Sequence, residues 1–110
     1  MIVEERIYTL QPGTAPEYLR LYEAEGFAIQ EPILGHLVGY FSTELGPLNQ
    51  VVHLWAYESF EERTARRARL TADEGWKAYI AKVRPLVLSQ ENKILIPARF
   101  SPINRVEARH

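Results

Sequence analysis

The chain has 110 residues, 46% of them hydrophobic and 25% charged, with a net charge of −1. That is the make-up of one soluble globular domain, with no field to gather nucleic acid or an anionic membrane. It contains no cysteine, which excludes disulfides, thiolate metal sites and a cysteine nucleophile.

The first segment, MIVEERIYTL, alternates like a strand over residues 2–10. It lacks the basic start and apolar core of a signal peptide. No apolar run approaches the roughly 20 residues of a membrane span, so a cytoplasmic protein is expected. A PGT turn follows. Thr14 and Glu17 match a capping box and Pro16 suits a first turn, so a helix is predicted from Ala15. Its end is open: Gly26 stops it, or FAIQE adds a turn before Pro32.

Residues 35–46 (GHLVGYFSTELG) read as the second strand and 50–58 as the third. The short PLN connection makes them an antiparallel hairpin, with Gly46 and Asn49 as turn residues. Ser59 and Glu62 predict a cap for a helix to about Leu70. Thr71 and Glu74 predict another, for a helix carrying Trp76, Tyr79, Ile80 and Val83 at 3.6-residue spacing. Pro85 should end or kink it. Residues 91–100 (ENKILIPARF) read as the last strand, with Pro97 at an edge or end. Residues 1–103 form a single domain in this reading, and 104–110 a polar tail.

The order β-α-β-β-α-β is the split-βαβ, ferredoxin-like α+β arrangement, with an antiparallel four-stranded sheet and both helices on one face. The third strand is apolar on both faces. Val51, His53, Trp55 and Tyr57 alternate with Val52, Leu54 and Ala56. A strand with one wet face should alternate cleanly. Helices cover one face only, so a second copy is expected to cover the other, with the Trp55 face turned toward it in a homodimer.

The stretches ERIYTLQPG (5–13), LGHLVGYFSTELGPLNQVVHLWAYESFEER (34–63), RRARL (66–70), GWKAY (75–79) and ENKILIPARFSP (91–102) together resemble the NIPSNAP family. The resemblance spans about residues 2–102, and GPLNQVVHLWAY is its most specific part. Glu5 departs from a position more often apolar in the family. The resemblance implies a dimeric α/β-barrel of ferredoxin-like protomers, without a settled biochemical activity.

Candidate site residues follow from the strand faces. Glu4, Arg6 and Tyr8 share one face of the first strand, with Val3, Ile7 and Thr9 on the other. The polar face is expected to look into the barrel beside His53, Trp55 and Tyr57, with Arg6 paired to Glu4 or Glu91 because a buried charge needs a partner. His53 is the natural acid or base near neutral pH. Arg6 would stabilise an anion, and Tyr8, Tyr40, Trp55 and Tyr57 would line a cavity. No metal site and no cofactor are expected. Arg63, Arg66 and Arg67 share a helical face, read either as an anion site or as a solvated surface.

Two functions fit. One is a homodimeric assembly module, or one that binds a small, partly apolar molecule. The alternative is a cofactor-independent monooxygenase, isomerase or cyclase for a small aromatic or polyketide-like substrate, with His53 as acid or base.

Overall fold

The computed structural model describes residues 1–106. Strand β1 is Ile2–Leu10, and helix α1 is Ala15–Leu21. A π-helical turn, Tyr22–Gly26, joins α1 to α2 (Phe27–Leu34). Then come β2 (His36–Ser42), β3 (Gln50–Tyr57), α3 (Phe60–Ala72) and α4 (Glu74–Val83). A 3₁₀ turn, Arg84–Leu86, leads to β4 (Val87–Leu95), and a short helix α5 (Ile103–Val106) follows. The strands form one open sheet in the order β2-β3-β1-β4, every neighbouring pair antiparallel. This is the ferredoxin-like α+β topology. The strands do not close on themselves into a barrel. Among the described residues no helix is long and apolar enough to cross a membrane.

Local chemistry accounts for most boundaries. Gly46 and Asn49 take positive φ (102° and 63°) in the β2–β3 hairpin, a conformation that glycine and asparagine tolerate best. Asn49 also ties the hairpin to the end of β1: its carbonyl accepts from the Leu10 amide and its side chain from the Gly13 amide. The Ser59 hydroxyl caps α3 by accepting from the Glu62 amide. Two expected caps are absent. Thr14 donates to the Gln11 carbonyl and leaves α1 without a side-chain cap. Asp73, not Thr71, caps α4 by accepting from the Trp76 amide, because α3 runs on to Ala72 and puts Thr71 inside it.

Three boundaries move, the simplest being β2, which ends at Ser42 and not at residue 46. The first helix does not stop at Gly26; it passes through the π turn and Pro32 to Leu34, and Gly35 ends it at φ 98°. The last strand starts at Val87, not at residue 91, and ends before Pro97. It begins where the 3₁₀ turn at Pro85 releases the chain, and its register is set by β1, with Leu10 opposite Val87 and Val3 opposite Leu95.

The largest correction concerns the sheet faces. Trp55, Tyr57, His53 and Val51 lie beneath the helices, together with Ile2, Glu4, Arg6, Tyr8 and Leu10 of β1. One core cluster joins Ile2, Trp55 and Tyr57 to Leu34 and Leu70. A second joins Leu10 and Val51 to Tyr18, Tyr22, Tyr79 and Val83. The opposite face carries Val3, Glu5, Ile7 and Thr9, paired across the ladder with Ala56, Leu54, Val52 and Gln50; Val3 and Ala56 are buried at one end of it, and the other six are half-buried and open to a partner. The physical reason is volume and charge together. Three helical segments with their own tyrosines make a deep layer that large aromatics fill. The charges of β1 can be buried there because α3 and β4 supply partners.

Candidate functional site

Glu4 is fully buried and is the hub of that charge network. Arg63, from α3, donates to both of its oxygens, Nε to Oε1 at 2.9 Å and Nη2 to Oε2 at 2.7 Å. Arg6 Nη1 donates to Oε2 at 2.9 Å and Asn92 Nδ2, from β4, at 2.7 Å. Burial pushes the carboxyl pKa up, but the bonds from Arg63 and Asn92 and the Arg6 charge outweigh it and hold it at about 2. Arg6 is largely buried and paired with Glu4, as expected; the alternative partner, Glu91, gives way to its neighbour Asn92. Arg6 Nε also donates to the Tyr8 hydroxyl at 3.1 Å.

His53 is 1% exposed and sits among aromatic rings. It stacks on Tyr40 at 4.5 Å and meets Tyr8 edge-on at 4.9 Å. Its Nδ1 accepts from Trp55 Nε1 at 2.8 Å, so the proton of the neutral ring is on Nε2. Nε2 is buried without a partner. Burial, then repulsion from Arg6 and Arg67, lowers its pKa to about 3. In this arrangement the lone pair of Nδ1 is engaged by Trp55 and burial disfavours the charged ring, which does not favour the acid or base role expected for His53. Tyr18, Tyr22 and Tyr79 extend the aromatic layer. Tyr22 stacks on Tyr40 at 4.5 Å and donates to Gln30 Oε1 at 2.6 Å. Burial pushes the Tyr18 hydroxyl up to about 12, so it stays protonated.

A cleft of about 790 Å³ opens between this layer and α4, at the β4 edge of the sheet. Of the residues expected to line a site, Arg6 and Tyr8 reach it; His53, Trp55, Tyr40 and Tyr57 do not. Trp55 and Tyr57 belong to the core cluster around Leu34. Tyr57 instead touches a smaller hollow of about 230 Å³ near Gly35 and Arg66. The sheet alternation could not reveal this, because the cleft is walled mainly by the helix and turn 76–84 and by the start of β4.

The cleft has an apolar wall, Trp76, Ile80, Val83 and Leu88, and four cations, Arg6, Arg67, Lys77 and Arg84. No carboxylate lines it among the described residues. Arg67 comes from α3 one turn beyond Arg63. Its Nη1 is buried with no hydrogen-bond partner, and burial followed by repulsion from Arg6 pulls its pKa down. The i, i+3, i+4 spacing of Arg63, Arg66 and Arg67 was the sequence signal for this. Its three members part company: Arg63 grips Glu4, Arg66 pairs with Glu62 and the Ile33 carbonyl, and Arg67 turns to the cleft. Among the described residues no group of three or more His, Asp or Glu side chains is placed to hold a metal ion.

The NIPSNAP family model matches residues 3–102. A Dictyostelium discoideum protein described as a NipSnap homolog is 36% identical over 97 residues, covering 88% of this chain and 43% of its own length. The chain spans less than half the length of the curated relatives it matches. Among solved structures, an uncharacterized NIPSNAP-like domain protein from Burkholderia xenovorans superposes with a TM-score of 0.91 at 56% identity, covering 92% of this chain and 88% of that one. An antibiotic biosynthesis monooxygenase shares the fold at a TM-score of 0.61 and 12% identity, covering 89% of this chain and 99% of that one.

Proposed function

The chain belongs to the NIPSNAP family, whose members are described as of unknown function, and from that premise we propose that the domain is a homodimeric small-molecule-binding module whose site is the cleft between α4 and the sheet. The observation that carries this reading is the cleft itself. Its volume of about 790 Å³ falls within the roughly 300–1,000 Å³ typical of ligand sites. An apolar wall of Trp76, Ile80, Val83, Val87 and Leu88 facing a larger set of polar and cationic side chains suits a small molecule that is apolar in one part and polar in another. Thr71 is exposed at the rim, so Thr71→Trp should block the entrance without disturbing the core. Isothermal titration with small aromatic molecules is expected to give binding to the wild type and none to Thr71→Trp. Equal heats from both proteins would move the site elsewhere.

The open sheet face supports the dimer. Ile7, Val52 and Leu54 line it half-buried, and Phe41 is 55% exposed. An apolar face of this kind is rarely left bare by a monomer, and a second copy of the same sheet is a self-complementary cover. The face that a partner would cover is thus the Val52 face, not the Trp55 face. The cofactor-independent enzyme with His53 as acid or base draws no support from the site, since His53 neither reaches the cleft nor has a free basic nitrogen.

A further inference from the structure

We propose that the ligand of the cleft is an organic anion, a carboxylate or phosphate ester on an apolar body, held at its charged end by Arg67; the inference rests on the cleft being the binding site. The sheet-facing network holds three guanidinium groups, Arg6, Arg63 and Arg67, against one carboxylate, Glu4. Arg63 and Arg6 take Glu4 between them, and Asn92 completes its shell. Arg67 is left over. It forms part of the cleft wall, makes no ion pair among the described residues, and has a nitrogen shut away from solvent without an acceptor. A partly buried cation with one nitrogen out of reach of both water and an acceptor gains from a negative group placed beside it. Repulsion from Arg6 and burial act on it in the same direction.

The rest of the cleft suits the same ligand. Arg84 is exposed at the rim and makes no ion pair among the described residues. Lys77 pairs with Glu74 at 3.2 Å on the surface, a bond that water and salt weaken. Both would draw an anion inward. Trp76, Ile80, Val83 and Leu88 offer the apolar body a wall. Guanidinium groups match carboxylate and phosphate oxygens with a planar fork of donors, so one anchor with an apolar body behind it fixes both charge and orientation.

The test is calorimetric titration of the wild type, Arg67→Met and Arg84→Glu with phenylacetate, phenyl phosphate and uncharged phenylacetamide. Charged hydrogen bonds predict that at least one anion binds the wild type about 10- to 100-fold tighter than the amide, and which one identifies the anion class. Arg67→Met should erase that preference, keep amide binding, and melt no lower than the wild type, since it removes a partly buried cation with an unpartnered nitrogen. Arg84→Glu, a surface change safe for folding, should weaken the anion alone. Equal binding of anions and amide would overturn the inference while leaving the cleft as a site. Binding of none of the three would overturn both.

Discussion

Between pH 4.5 and 2 the unfolded chain protonates Glu4 and the folded chain does not, because Arg63, Asn92 and Arg6 hold the carboxylate ionised. A carboxyl group with a depressed folded pKa stabilises the fold above its unfolded value. That contribution, on the order of 3 kcal/mol, is lost as pH falls toward 2. Glu4→Gln should cost about 3–5 kcal/mol at pH 7, because it strands two arginines, and its stability should fall less steeply than the wild type's below pH 4.5. Denaturant titrations at pH 7, 4.5 and 3 check both; parallel curves would mean that Glu4 is not the hub. His53 acts over a higher window. It stays neutral in the fold down to about pH 3, while in the unfolded chain it charges near 6.5, so stability is lost as pH drops from 6.5 toward 3. His53→Leu should flatten that slope. It should also lower Tm at pH 8 by several degrees, since Trp55 Nε1 loses its acceptor at about 1–3 kcal/mol. An unchanged melting curve at pH 8 would remove His53 from the packing network. The partnership of Arg6 with Glu4 was legible from their period-two spacing; that of Arg63 was not, because 59 residues separate it from Glu4 and no local pattern carries such a distance.

At the scale of elements, the π turn positions the aromatic layer. Gly26 closes it, and a Cβ there would stand 2.8 Å from both Tyr22 Cδ1 and Tyr79 Cζ. Neither ring can yield cheaply: Tyr22 is stacked on Tyr40, and Tyr79 packs against Trp76 at 5.0 Å. Gly26→Ala should therefore destabilise by about 1–3 kcal/mol, although alanine favours helix over glycine by about 1 kcal/mol. It should also alter the near-ultraviolet circular dichroism of the tyrosines. A stability gain would show that the turn can relax around the methyl group. The sequence offered Gly26 as one possible helix end. The glycine is there for close approach of two rings, and only the position of α4 against α1 and α2 makes that visible. The early start of β4 has a similar cause: residues 87–90 carry no strong strand pattern, and pairing with β1 makes them a strand.

On the scale of the whole molecule, the two sheet faces ask for different covers. Leu54→Glu puts a charge on the open face, where a monomer would solvate it and a face-to-face dimer would not. Light scattering at micromolar concentration is expected to give a dimer for the wild type and a folded monomer for Leu54→Glu. A wild-type monomer would leave the open face without a partner. Trp55→Glu should instead unfold the chain, because Trp55 is fully buried beneath α2 and α3 beside Leu34 and Leu70; a folded Trp55→Glu monomer would return that residue to an interface.

The β-α-β-β-α-β order, the hairpin at Gly46 and Asn49, and the buried pairing of Arg6 followed from the sequence alone. Hydrophobic period, turn chemistry and the need to compensate a buried charge are all properties of short stretches. Tertiary structure decided which face of the sheet the helices cover, that His53 spends its lone pair on Trp55, and that Arg63 and Arg67 leave the surface for the charge network and the cleft. Those outcomes depend on two strand faces of similar apolar content competing for the same helices. The competition is settled by the volume of the helix layer and by charges that arrive from distant segments, and neither is written in any one stretch of the chain.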